Sequence, residues 1–126
     1  MPAKFHRLLP DGDPVTGMEP SHMTPPETFL VADPHETIHV PFRSKDGMVT
    51  AGTWECSPCR QEIPRYGVDE LCTVISGSLT ITDREGRSET FGPGQTFVMD
   101  RDFAGVWHIT ETLKKFWMIV EPPEAG

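Results

Sequence analysis

The sequence predicts an all-β fold, on three observations. Thirteen prolines and eleven glycines in 126 residues cut the chain into short pieces. No long stretch repeats apolar residues at helical spacing. From Met48 onward, short runs rich in β-branched and aromatic residues alternate with turn residues, the pattern of a sandwich or barrel. A chain of this length fits one domain with one modest core.

The elements follow in order. Residues 1–26 are rich in Pro, Gly and Asp and have few apolar pairs, so they cannot offset their own ordering entropy. Residues 1–36 are therefore read as an extended arm laid on a neighbour, and 37–126 as a barrel. Phe29-Leu30-Val31 reads as a strand fragment, and Thr37 to Val40 as an edge strand that Pro41 ends. Eight further short strands are predicted: Met48 to Cys56, Arg60 to Ile63, Glu70 to Ser76, Ser78 to Thr82, Ser88 to Phe91, Thr96 to Met99, Gly105 to Thr110 and Lys115 to Glu121. Between them Ser76-Gly77, Asp83 to Gly86, Gly92-Pro93-Gly94 and Asp100 to Asp102 supply the chemistry of tight reversals.

A formal charge of -8 argues against a nucleic-acid partner, because phosphate binding draws on clustered Lys and Arg. It favours a small neutral or cationic ligand. No apolar run approaches the roughly 20 residues needed to span a bilayer, and no secretory stretch opens the chain. The expected setting is the cytoplasm, with no membrane partner. Three cysteines, an odd number, do not make a disulfide framework and are expected to be reduced.

Two segments carry a resemblance. Glu70-Leu71-Cys72-Thr73-Val74-Ile75-Ser76-Gly77 sets a Glu, six residues and a Gly in order, and Phe91-Gly92-Pro93-Gly94-Gln95-Thr96-Phe97-Val98-Met99 forms a glycine turn followed by a strand. Together with Trp54-Glu55, Gly105-Val106-Trp107 and Lys114-Lys115-Phe116, the chain from Met48 to about Glu121 resembles the cupins, in particular the (S)-ureidoglycine aminohydrolase-like cupin domains. The resemblance implies a double-stranded β-helix, a jelly-roll barrel that binds its ligand inside, a basic residue at Lys115, and a homodimer formed through outer sheet faces. The metal ligands of such barrels are missing. The His-x-His positions fall on Pro64 and Tyr66, or on Ile63 and Arg65, and the later His falls on Gly105, leaving only Glu70. One carboxylate does not hold a first-row metal tightly, so no metal is predicted and the cofactor stays open.

Strand parity then sorts the side chains. If Glu70 points inward, so do Cys72 and Val74, while Leu71, Thr73 and Ile75 face out, where they suit a dimer contact. With Gly105 in the place of the inward His, Trp107 enters the pocket and His108 leaves it. Parity leaves Lys115 ambiguous, since Phe116, Met118 and Val120 make the more apolar row. The candidate site is Glu70 as catalytic acid, base or amine anchor, with Trp54, Tyr66, Cys72, Trp107 and Lys115 around a small nitrogen-containing metabolite. Partial drying by tryptophans is expected to raise the Glu70 pKa toward neutrality.

Plainer readings stand beside these. Glu70 also fits a structural acid, the tryptophans fit core or interface packing, and Cys72 fits a small buried hydrophobe. Cys56-Ser57-Pro58-Cys59 has the spacing of a redox pair, but it falls in a predicted β-turn and not at the start of a helix, and it is half a zinc site. Three functions remain open: an aminohydrolase-like enzyme, a non-catalytic binding or sensing module, and a structural dimer subunit.

Overall fold

The computed structural model describes residues 3–123; residues 1, 2 and 124–126, the outer ends of the predicted arm and barrel, lie outside it. The strands are β1 (Glu19–Pro20), β2 (Glu36–Arg43), β3 (Val49–Cys56), β4 (Cys59–Ile63), β5 (Asp69–Asp83), β6 (Ser88–Phe91), β7 (Thr96–Met99) and β8 (Gly105–Val120). A single 3-10 turn, Pro26–Thr28, is the one helical piece among the described residues. The fold is all-β, with strand order β1-β2-β3-β8-β5-β6.

Two long strands organise everything else. β8 pairs antiparallel with β3 through its second half and with β4 through its first, while β5 pairs with β7, then β6, and with β8 along nearly all of its length. Each predicted pair Glu70 to Ser76 with Ser78 to Thr82, and Gly105 to Thr110 with Lys115 to Glu121, is therefore one continuous strand. Neither the Ser76-Gly77 turn nor the residues between Thr110 and Lys115 reverse the chain. They bend it, with register shifts between Val74 and Leu79. The bend needs Gly77, which holds φ at 88° and where any Cβ would run into the Thr112 carbonyl. It also exchanges the inward set: Glu70, Cys72 and Val74 are buried before it, Leu79 after it.

The core is an aromatic and aliphatic layer that includes Trp54, Leu79, Trp107, Ile109, Leu113 and Trp117. Phe29 to Val31 is not a strand. The Pro25-Pro26 start favours the 3-10 turn, after which Phe29 makes one isolated bridge to Cys59 and the Leu30 N–H donates to the Pro58 carbonyl at 2.9 Å. Ser57-Pro58 is likewise not a β-turn. β3 and β4 run the same way along β8, and these two residues form the joint where the chain passes from one half of the barrel to the other.

The arm lies on the barrel of its own chain. Thr53 Oγ1 donates to the Leu9 carbonyl at 2.6 Å, and Lys114 Nζ meets Asp11 at 2.7 Å. Further along, the segment 21–28 is fastened to β2 as a strap, its Ser21, Met23 and Thr24 each hydrogen-bonded to the Glu36 carboxylate.

Candidate functional site

The site grows out of three strands. Lys115 of β8 lies opposite Trp54 of β3 on one side and Val74 of β5 on the other. Its Nζ donates to Glu70 Oε2 at 2.7 Å and to Cys72 Sγ at 3.3 Å. The Tyr66 hydroxyl donates to the other oxygen of Glu70. The ammonium sits 5.1 Å from the ring centre of Trp54 and 4.8 Å from that of Trp107, and Tyr66 stacks on Trp107 with ring centres 6.1 Å apart. Glu70 and Lys115 are each only 4% exposed. A charge this dry persists only when paired, and here carboxylate and ammonium neutralise each other between two indole faces.

The protonation states follow. Burial alone would push the Glu70 carboxyl up, but the Lys115 ammonium and the hydrogen bonds from Lys115 and Tyr66 outweigh it and hold the group below its ordinary range. The expectation of a raised Glu70 pKa is thus overturned, because the partner charge came from a residue whose facing the sequence left open. For Lys115, burial favours the neutral amine, yet Cys72, Glu70 and Tyr66 together drive its pKa above the ordinary lysine value. Burial pushes the Cys72 thiol up to about 12, and it raises the Tyr66 phenol as well. At neutral pH the floor is carboxylate, ammonium and phenol, with the Cys72 thiol bonded to the ammonium.

A cavity of about 550 Å³ opens onto this floor, with Trp54, Tyr66, Glu70, Trp107 and Lys115 among its walls. Cys72 lies behind Lys115 and is not part of the lining. Met23 and Thr24 of the strap reach the cavity, and Arg43 and Glu121 stand at its edge.

Sequence reasoning missed Glu36. It is 8% exposed, and its carboxylate accepts from Ser21 Oγ at 2.6 Å, the Met23 N–H at 3.2 Å, the Thr24 N–H at 2.9 Å and Trp54 Nε1 at 2.9 Å. These bonds tie the strap to a tryptophan of the cavity wall. Burial opposes ionisation, but the hydrogen bonds from Ser21 and Trp54 prevail and lower the pKa. Parity was the available signal, since Glu36 shares a face of β2 with Ile38, which also lines the cavity.

The residues do not fit the metal centre of histidine-bearing cupins. Both oxygens of Glu70 are engaged, and a Cβ at Gly105 would strike the Thr82 carbonyl, so no side chain of any kind is accommodated there. The arm brings Met23 and Thr24 to the cavity and no histidine; His35 instead bonds Ser57 and Glu55. Among the described residues no group of three His, Cys, Asp or Glu side chains is placed to hold a metal ion. No helix among them is long and apolar enough to cross a membrane.

Comparison with known proteins agrees with this architecture. A protein of unknown function of the DUF861 family from Pseudomonas syringae superposes with a TM-score of 0.75 at 20% identity, covering 86% of this chain and 46% of that one. This chain thus spans about half the length of that relative. EutQ from Clostridium difficile gives a TM-score of 0.55 at 14% identity over 71% of this chain and 70% of its own. Ectoine synthase from P. lautus gives 0.59 at 15% identity over 74% and 69%. At these identities the likeness shows the cupin fold alone. No curated protein matches the sequence. The family model for the EutQ-like cupin domain, however, matches residues 43–117, more than half the chain and the whole span from the end of β2 through Lys115, and on that match the chain belongs to the EutQ-like cupin domain family.

Proposed function

We propose that this cupin binds a small, neutral, nitrogen-containing metabolite, a ureido or amide compound, in the cavity above Glu70. The observation that carries the reading is the Glu70–Lys115 contact at 2.7 Å beneath two indole faces. Lys115 already occupies the aromatic cage and the carboxylate that an amine ligand would seek, so a ligand cation finds its place taken. A planar group with its own donor and acceptor suits what remains: carboxylate and ammonium side by side, and flat apolar walls.

The protonation pattern favours binding over turnover. General acid–base work near neutrality needs a group that titrates there, whereas Glu70 is held low and Lys115, Tyr66 and Cys72 are held high. Aminohydrolase-like chemistry on a ureidoglycine-type compound is the second reading, and it rests on the resemblance of the motif segments. Thermal-shift measurements across ureido, amide, amine and carboxylate compounds distinguish them. Ureido or amide compounds are expected to raise Tm, by linkage worth about 2.7 kcal/mol at a hundredfold excess over Kd, and to be recovered intact. Stabilisation by amines alone would remove the binding proposal, and recovery of a deaminated product would replace it with the enzyme reading.

The outer face supports a homodimer. Val98, Leu71 and Met118 stand side by side across β7, β5 and β8 at 66%, 46% and 39% exposure, an apolar row that the arm does not cover. Light scattering is expected to give twice the 14.1 kDa chain mass, and Leu71→Arg to shift it toward the single chain. A single-chain mass at every concentration would refute this.

A further inference from the structure

The arm begins with residues that its own barrel leaves exposed. Lys114 of β8 holds Asp11 at 2.7 Å, Thr53 of β3 holds the Leu9 carbonyl at 2.6 Å, and the His6 ring rests on Phe42 of β2 with ring centres 5.3 Å apart. Traced toward the N-terminus, the arm therefore crosses the outer face from β8 to β3 to β2. Phe5, the next residue out, is 85% exposed, and Lys4 and Arg7 are exposed with it. The other side of the barrel carries the complement. β6 and β7 each pair with β5 alone among the described residues, so their outer edges are open. Beside them runs a groove of about 1070 Å³ that has no lining residue in common with the ligand cavity. Its floor is apolar: Phe91 and Phe97 stack with ring centres 4.3 Å apart, and Ile81, Met99 and Phe103 complete it. Its walls hold five carboxylates against two guanidiniums, and one of those guanidiniums, Arg87, is already paired with Asp83 at 2.9 Å.

We propose that residues 3–7 of a second copy dock in this groove, so that the two chains of the dimer exchange the tips of their arms. In the arm an exposed ring sits between two cations; in the groove a phenylalanine floor sits between acids. One placement satisfies ring against ring, cation beside carboxylate, and an extended segment along the open edge of β6. The ion pairs would be exposed and contribute mainly selectivity, so Phe5 is the residue on which affinity depends. The arm does not reach the groove of its own chain. β3, β8 and β5 stand between β2 and the strands of the groove, which at about 4.8 Å per strand sets the groove about 19 Å along the sheet from the His6 anchor. Phe5 lies one residue beyond that anchor, about 3.6 Å of chain. The exchange rests on the second copy inferred from the Leu71 row, and Val98 joins the two, being both the exposed end of that row and a wall of the groove. Each copy gives one arm and receives one, which closes the assembly at two chains.

The test treats the full chain with a carbodiimide, which joins amines to carboxylates in contact, then separates products by mass and maps their peptides. The expected product has twice the 14.1 kDa chain mass and joins Lys4 to a groove carboxylate, Glu89 foremost, while the single-chain product lacks that link. Phe5→Asp, which sets an acid against an acidic wall, is expected to raise the dimer Kd about tenfold or more in light scattering across concentration and to abolish the link. Phe5 is exposed in the single chain, so the variant should unfold at the native temperature when dilute. The link found in the single-chain product, Lys4 joined only to carboxylates outside the groove, or a dimer Kd unmoved by Phe5→Asp would each overturn the exchange. A double-chain mass without the link removes the exchange and keeps the Leu71 row. A link that persists in Leu71→Arg keeps the exchange and removes the row, and a single-chain mass at every concentration removes both.

Discussion

Replacing Lys115 by methionine is expected to cost about 3–5 kcal/mol of folding stability, the usual effect of removing one member of a buried pair. Glu70 would keep only the Tyr66 hydroxyl as a partner while remaining almost wholly buried. Glu70→Gln is expected to destabilise by a comparable amount, since it strands the ammonium between two indoles. The Lys115→Met, Glu70→Gln double variant should lose less than the two single losses added together, because no uncompensated charge remains. Denaturant unfolding of the four proteins measures this, and strictly additive losses would show that the two groups do not act as a pair.

The same variants have a pH signature with a definite sign. In the native chain the folded-state pKa of Glu70 is depressed below 4.5, so its contribution is present above that value and disappears as acid takes the carboxylate through its folded pKa. The folded-state pKa of Lys115 is raised above 10.5, so its contribution is present below that value and disappears in strong base. These are two views of one pair and do not add. In Lys115→Met the lone buried carboxyl should instead have a raised pKa, and lowering the pH from 7 to 5 should then stabilise the fold relative to the native chain. A variant that loses stability in acid just as the native chain does would contradict the assignment.

Glu36→Ala should release the strap. It leaves the buried Thr24 N–H and Trp54 Nε1 without their acceptor, and each orphaned donor costs about 1–3 kcal/mol. Hydrogen exchange is expected to show lost protection at the Met23 and Thr24 amides while the β5–β8 ladder keeps its own. Limited proteolysis should cut within 21–28 under conditions that spare the native chain. Glu36→Gln, which retains one acceptor oxygen, should fall between the two. Unchanged protection at Thr24 in Glu36→Ala would mean that the strap is held by its apolar contacts instead.

The strand period set Glu70 and Cys72 on one face, because parity is a local property of each strand, and the cupin resemblance, which put an inward position at Gly105, added Trp107 two residues on. Parity did not fix Lys115, since β8 has an alternation of apolar and mixed rows and the more apolar row, Met118 and Val120 among it, faces outward. What turns Lys115 inward is a countercharge 45 residues away on another strand, and no local pattern records that. The same limit hid the role of Glu36, whose donors come from the arm and from β3. It also misled the reading of Cys56 to Cys59. Proline and serine between two strands suggest a reversal, whereas the chain keeps its direction because β8 is long enough to pair with both pieces in succession. Gly77 fits the same account: its left-handed backbone was legible, but its use for bending a strand depended on the Thr112 carbonyl across the ladder.

The long β5–β8 ladder also bears on how the protein reaches this state. Its pairings join residues from Asp69↔Val120 to Asp83↔Gly105, so closing them means bringing together distant parts of the chain before any reward is collected. Topologies dominated by such non-local pairing fold in roughly milliseconds to seconds, well behind helical bundles of similar size. Glu70 and Lys115 both belong to this ladder, at Glu70↔Ile119 and Val74↔Lys115, so the carboxylate and the ammonium give up their water together as it closes, and the site is assembled by the same pairing that sets the pace of folding.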